Sequence, residues 1–387
     1  MNGKPDDPAR NRAELEFQKL AGVAWMAAKG WSAEEVLKTY ERAEALCDTL
    51  QDETERFTAL RGRAQYYMIS GQPRNAQEIA LRCVNMTRDV TDSGVEIETH
   101  HMFWTNNFFM GDCVEAELHA VSGMRLYQPG EHHALTYRYS GHDPGVCSHC
   151  FAGLSAWQRG AFARAADRCN SAVTLAEKLS HPLSIGLAYW ALSMLNMFHR
   201  RPEGALQAAQ RETAMCDEYL LPLLRSQAAF QAGWATAALG DRRRGIDEME
   251  RGIAGISKGG AEMGLPYFQA LLSETIAAEG DPARGMAIVE GAISNAMRNG
   301  TLFHFSELLR IKAGIMLQSD RSNLPEADAL LARAVAFAQS QGADMPAFQA
   351  ASVRAQLLAD QKRHAEADAL LAEFSDLAQE TKRAAAG

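Results

Sequence analysis

Several things this 387-residue sequence lacks narrow its reading. No apolar run reaches the ~18–20 residues that a membrane-spanning helix needs, so no membrane partner is expected. No phosphate loop of the form GxxxxGK[ST] occurs, and Ile256-Ser257-Lys258-Gly259-Gly260 does not fit one. No serine sits in a GxSxG elbow and no HExxH motif is present. Basic residues are sparse and scattered. The net charge is −9, and the longest basic runs, His199-Arg200-Arg201 and Arg242-Arg243-Arg244, fall in expected turns. A nucleic-acid binder needs a basic stripe to neutralise phosphates, so none is expected here. Cysteine is also scarce. The seven residues Cys47, Cys83, Cys113, Cys147, Cys150, Cys169 and Cys216 are odd in number and form no disulfide framework. With the polar opening from Met1 to Arg12, this points to a reducing cytoplasm. Hairpin signals are missing too, since the lone Asn299-Gly300 lies between expected helices. The expectation is a non-enzyme with no cofactor and no metal.

What is present is a repeat. The composition is globular, 47% hydrophobic and 22% charged. A single core rarely grows past about 250–300 residues, whereas a repeat array has no such ceiling because each unit touches its neighbours. A turn residue is followed five positions on by a small residue, and seven further on by another. Gly71 leads to Ala76 and Cys83, Gly111 to Ala116 and Gly123, and Gly160 to Ala165 and Ala172. Gly240 leads to Gly245 and Gly252, and Gly280 to Gly285 and Ala292. Arg200 leads to Ala205, Ser322 to Ala327 and Ala334, and Asp360 to Ala365 and Ala372; a shifted first copy runs Gly30, Val36, Ala43. The anchors 76, 116, 165, 205, 245, 285, 327 and 365 are therefore 40, 49, 40, 40, 40, 42 and 38 residues apart. Close helix crossings explain the small residues, and a left-handed turn explains the glycines.

Proline gives the same register, because it is tolerated in a helix's first turn and expelled from its interior. Pro144, Pro182, Pro222, Pro266 and Pro346 stand where first helices should begin, and Pro73, Pro202, Pro282 and Pro325 where second helices should. Pro5, Pro8 and Pro129 lie elsewhere, in the terminal tail and an insertion. Ser32-Ala33-Glu34-Glu35 reads as a capping box. The 49-residue step marks an insertion near 127–144. The expected architecture is all-α: a disordered tail over residues 1–11, then a TPR-like α-solenoid of about nine antiparallel helix pairs over 12–387, with a period of about 40 residues.

Several stretches carry a resemblance. Lys29-Gly30-Trp31-Ser32 with Tyr40-Glu41-Arg42-Ala43, Tyr139-Ser140-Gly141-His142-Asp143-Pro144-Gly145-Val146, His181-Pro182-Leu183-Ser184, Gly264-Leu265-Pro266-Tyr267 and Glu307-Leu308-Leu309-Arg310 occur in order. Together they resemble the TPR-like C-terminal repeat region of bacterial multidomain regulators. In those proteins the region follows an AAA-like ATPase module with a class III adenylate or guanylate cyclase domain or a transcriptional-activator domain. The family's Glu-Leu-Arg in the last repeat is replaced here by Ala347-Phe348-Gln349. The resemblance implies a sensing or scaffolding role, with output generated elsewhere.

Candidate chemistry is thin. His142, Asp143, Cys147, His149 and Cys150 have spacings that could hold zinc, but cysteines in the first turns of a helix are more often buried small apolar residues, and no metal is expected. His100 and His101 lie about 100° apart on a helix, so one should pack and one be exposed. Trp104, Trp157, Trp190 and Trp234 read mostly as core, with Trp190 and Trp234 turned inward. Counting back from the anchors also turns Arg61, Gln65, Glu98, His101, Thr105, Met194 and Glu274 inward. Asp143 reads first as the cap of a helix starting at Pro144. The expected binding surface lies between the third and fifth repeats, built from His101, Thr105, His133, Arg138, Tyr139, His142, Asp143, Trp190, Met194 and Trp234. The expected function is a protein-interaction or regulatory scaffold. Its concave groove takes a protein or peptide partner, such as a cyclase or transcriptional regulator. The alternative is a small-molecule sensor with its pocket beside the insertion.

Overall fold

A computed structural model describes residues 7–88 and 90–386, with backbone alone for 382–386. Among the described residues all regular structure is helical. Nine pairs follow in order: α1 (Pro8–Lys29) with α2 (Glu34–Leu50), α3 (Glu53–Ile69) with α4 (Pro73–Thr87), and α5 (Ser93–Met110) with α6 (Cys113–Leu126). The insertion supplies two single-turn helices, α7 (Pro129–His132) and α8 (Leu135–Arg138). The pairs resume with α9 (Pro144–Gln158) and α10 (Phe162–Leu179), α11 (Pro182–Phe198) and α12 (Pro202–Tyr219), and α13 (Pro222–Ala238) and α14 (Arg242–Lys258). They finish with α15 (Leu265–Glu279) and α16 (Pro282–Asn299), α17 (Phe305–Ser319) and α18 (Leu324–Ser340), and α19 (Asp344–Asp360) and α20 (His364–Ala372), before a last helix, α21 (Ser375–Ala386).

The small-residue signature falls on the crossings. Ala76, Ala116, Ala165, Ala205, Gly245, Gly285 and Ala327 each lie three residues into their second helix and are buried. At Gly252 an added Cβ would sit 2.7 Å from the Phe230 nitrogen and 2.8 Å from the Ser226 oxygen, so main chain packs on main chain there. Seven of the described α-helices are capped by the aspartate immediately before their first residue: Asp7, Asp52, Asp92, Asp112, Asp143, Asp241 and Asp281. Each carboxylate accepts from main-chain N–H groups that have no partner inside the helix.

Three expectations need correction. In the last repeat the left-handed residue ending α19 is Lys362 (φ 63°), two positions beyond Asp360. The crossing residue is accordingly the buried Ala367, while Ala365 and Ala372 are exposed. The capping box does not form. Ala33 caps α2 without a side-chain bond, and the Ser32 hydroxyl donates instead to the Gly259 carbonyl at 2.7 Å. Lastly, α1 begins at Pro8 and buries Asn11, so part of the stretch expected as a tail is helical; residues 1–6 lie outside the described residues.

The bond from Ser32 to Gly259 shows how tightly the superhelix winds. Ile69 at the second repeat's turn accepts from the nitrogens of Glu262 (2.9 Å) and Met263 (3.1 Å). Phe109 at the third accepts from the Phe303 nitrogen (3.1 Å), and the Cys113 thiol lies 3.2 Å from the Gln341 carbonyl. Each early repeat thus meets one four or five repeats later. The inner face closes on itself and becomes a core.

Candidate functional site

The inner face is built from helical stripes. Along α5, Glu98, His101 and Thr105 follow at steps of three and four; along α3, Arg61, Gln65 and Met68 do the same; along α11, so do Leu187, Trp190 and Met194. These stripes, α9 and the return of α13 border a cavity of about 40 Å³, lined among others by Trp31, Gln65, Thr105, His142, Cys147 and Trp190. Four expected site residues therefore meet: His101 stands behind the wall that Thr105, His142 and Trp190 form. Drug-sized ligands occupy pockets of about 300–1,000 Å³, so this cavity has room for little more than water.

A buried polar chain runs behind the cavity. Arg61 is 1% exposed, and its Nε donates to Glu98 Oε2 at 2.9 Å. Its other nitrogens donate to Gln65 (2.8 Å) and to the Ser140 hydroxyl (2.5 Å). His101 Nδ1 lies 3.1 Å from the same Glu98 oxygen. His101 Nε2 is 3.3 Å from His142 Nε2 and 3.3 Å from Cys147 Sγ. His142 Nδ1 faces the Ser140 carbonyl at 3.2 Å; that carbonyl also accepts from the Trp31 indole at 2.8 Å. The Trp104 indole donates to Cys147 Sγ at 3.4 Å. Burial, then the Arg61 charge, holds His101 below the usual imidazole range. Burial, then His101, pushes His142 lower still. Burial raises the Cys147 thiol, against the Trp104 hydrogen bond. For Glu98 burial works upward, but His101 and Arg61 together hold the carboxyl below its ordinary value.

The other expected residues lie elsewhere. Asp143 is fully buried and caps α9, accepting from the Val146 nitrogen at 2.9 Å. Its second oxygen takes the Tyr127 hydroxyl at 2.7 Å and faces His133 Nδ1 at 2.8 Å. Its carboxylate holds the insertion down and does not point into the cavity. Tyr139 is buried edge-on against Phe57, and the exposed Arg138 pairs with Glu55 at 3.5 Å. His133 and Arg138 therefore mark the outer rim. Met194 and Trp234 belong to the apolar core. His100 is half-buried against His119 (2.8 Å) while His101 is buried. Of the zinc-like spacing, His142 and Cys147 come together, but Asp143 serves as a cap and Cys150 turns toward the Leu187 carbonyl. Glu307 and Arg310, two residues of the resemblance that lie apart from this site, form a separate, partly buried network with Glu274 and Arg200, with bonds of 2.6–3.2 Å.

Sequence reasoning missed Trp31, Gln227 and Met263 in the cavity wall, since they arrive by the superhelical return. It also missed the pairing of His101 with Cys147. A signal existed: counted back from anchors 116 and 165, they stand 15 and 18 residues away, one turn apart on successive first helices.

The architecture makes the chain a TPR-like α-solenoid. No family model matches it. An uncharacterized protein of Rhizobium meliloti (strain 1021) is 21% identical over 318 residues, which is 81% of this chain and 30% of that protein, so the chain spans under a third of this relative's length. Among solved structures, a Rap protein complexed with Competence and Sporulation Factor is similar over 97% of this chain and 99% of its own, with a TM-score of 0.66 at 9% identity. The apo form of the quorum sensor NprR from B. thuringiensis is similar over 96% and 99%, with a TM-score of 0.52 at 9% identity. Likeness at such identity is likeness of fold. No described helix is long and apolar enough to cross a membrane.

Proposed function

We propose that this chain is a non-catalytic regulatory interaction module whose inner face, between the third and fifth repeats, receives a polypeptide segment. One observation carries this reading. Hydrogen-bonding groups at and behind the cavity wall lack partners: the indole N–H of the wall residue Trp190 is buried and unpaired, and behind it Gln231 bonds the Trp190 carbonyl while its own Oε1 has no partner. Buried polar groups cost free energy when unsatisfied, and the main chain of a bound segment supplies donors and acceptors in a row. The Rap complex and the quorum sensor support the reading by showing that this fold serves in receiving signals. The module's output belongs to a cyclase, a transcriptional regulator or another domain in cis, as the length of the Rhizobium relative allows.

A small-molecule sensor is the second reading, favoured by the mostly apolar cavity wall with a few polar groups, Gln65, Thr105 and His142, among its lining. For either ligand the superhelical turns must part. The test is selection of binders from a displayed library of short random peptides, followed by titration. Trp190→Phe keeps the ring and removes the N–H, so the selected peptides should bind it at least about fivefold more weakly, the loss of roughly one hydrogen bond. Arg243→Ala, on the outer surface, should change nothing. Failure to enrich any peptide, or binding indifferent to Trp190→Phe, refutes the reading.

A further inference from the structure

We propose that His101, His142 and Cys147 form a metal site that binds one zinc ion through two imidazole nitrogens and a thiolate. Hydrogen-bond bookkeeping leads there. The Glu98 carboxylate can only accept, so His101 Nδ1, 3.1 Å from it, carries the proton. The Ser140 carbonyl can likewise only accept, so His142 Nδ1, 3.2 Å away, carries its proton. Each neutral ring is thereby left with a bare lone pair on Nε2, and these two atoms are 3.3 Å apart. Two facing lone pairs repel unless a cation lies between them. The Cys147 thiol can donate one hydrogen to His101 Nε2, but that leaves His142 Nε2 unanswered.

Two of the three separations already fit zinc, and the third, from His142 Nε2 to Cys147 Sγ, would close from within 4.8 Å on binding. Tetrahedral coordination with bonds of about 2.0–2.1 Å to nitrogen and 2.3 Å to sulfur puts ligand atoms about 3.3–3.6 Å apart. Here both closest separations are 3.3 Å, and all three ligand atoms lie within 4.8 Å of one another. Two imidazoles and a thiolate suit a borderline cation and give calcium or magnesium no oxygen ligand. The supporting shell is of the kind metal sites use, a carboxylate and a carbonyl each fixing one histidine's orientation. Glu98 is itself held by Arg61, and the Trp104 indole is aimed at the sulfur. Binding replaces the Cys147 S–H bond by a zinc–sulfur bond and releases that proton to solvent; nothing is oxidised or reduced. His142 and Cys147 line the central cavity, so the fourth position is completed from that side by water or a donor atom of a bound ligand. The ion would join α5, the end of the insertion and α9, the junction where the 40-residue period breaks. This assignment stands independently of the polypeptide reading.

The test uses the full chain stripped with a chelator and titrated with cobalt(II) as a coloured stand-in for zinc. One equivalent should bind, with thiolate-to-cobalt charge transfer and the strong visible bands of four-coordinate cobalt, and one equivalent of zinc should bleach them. Cys147→Ser should lose the charge-transfer band, His142→Gln should weaken binding at least about tenfold, and Glu98→Gln should keep the band at roughly 10–100-fold lower affinity. Cys150→Ser, three residues from Cys147 and equally buried, should behave as wild type. Circular dichroism identifies any variant that fails to fold; if Cys147→Ser does, His142→Gln and Glu98→Gln carry the comparison. Folded wild type that shows no cobalt bands, or bands that survive Cys147→Ser and vanish in Cys150→Ser, overturns the site.

Discussion

The same substitution, glycine to alanine, should have opposite effects at two places in this solenoid. Gly245 lies in α14 where it crosses α13. A Cβ added there would stand 2.6 Å from the Ala237 nitrogen and 2.6 Å from the Gly233 oxygen. Both are main-chain atoms, which no rotamer change can move. Overpacking costs about 1–3 kcal/mol, and the helix-propensity gain of alanine over glycine returns at most about 1 kcal/mol. With two main-chain contacts at 2.6 Å the cost lies toward the upper end, about 2–3 kcal/mol, so the net expectation for Gly245→Ala is a loss of about 1–2 kcal/mol. Gly291, in α16, is exposed and has no atom within 4 Å of its would-be Cβ. Gly291→Ala should therefore stabilise by about 0.5–1 kcal/mol. Urea unfolding followed by far-ultraviolet circular dichroism measures both, with the slope of the transition checked for constancy. If Gly245→Ala shifts the midpoint upward as Gly291→Ala does, main-chain contact does not set these crossings, and the reason given for the 40-residue signature fails.

Two further outcomes follow from buried charge. Asp143→Ala removes the cap of α9 and leaves the Tyr127 hydroxyl without its acceptor, so stability should fall by at least the ~0.5–2 kcal/mol of a lost cap, while Arg138→Ala on the exposed rim stays within about 0.5 kcal/mol of wild type; equal losses in thermal unfolding would contradict the roles assigned to them. Acid should also destabilise the fold. Burial holds His304 at about 3 and His199 at about 4; burial and then His100 hold His119 at about 4. These rings are neutral in the folded chain but take up protons near ~6.5 when unfolded. Their contribution is whole above ~6.5 and is lost as pH falls toward 4. The melting temperature should drop between pH 7 and pH 5, and His304→Gln should flatten that slope; an unchanged slope would show that His304 does not remain neutral inside the fold.

Local physics was legible in the sequence, because it acts within one repeat. A crossing demands a small residue at a fixed distance from a turn, and Ala76 through Ala327 record that demand. Proline records helix starts equally well, down to Pro129, which opens the first short helix of the insertion. The last repeat was misplaced by two residues because Lys362, without glycine's signature, adopts the left-handed turn. Asp143 was legible as a cap since the main-chain N–H that donates to it lies three residues away.

The candidate site was only half legible, for a geometric reason. Inward stripes follow from helical periodicity, so Gln65, His101, Thr105 and Trp190 could be chosen. Nothing local says how steeply the repeats wind, and the winding decides whether an inward residue faces a groove or a core. Here Ile69 accepts from Glu262 and Met263, and Ser32 reaches Gly259; these bonds span roughly five repeats and make the inner face a closed interior. Once it is closed, polar side chains there must satisfy one another or await a ligand. Arg61 and Glu98 satisfy one another, while the Trp190 indole N–H has no partner and His142 Nε2 faces only the ring nitrogen of His101. The residues left unmet are thus those that helical spacing turned inward and the superhelical return buried, which is why the partner reading and the metal site both fall at the meeting of the third, fourth and fifth repeats.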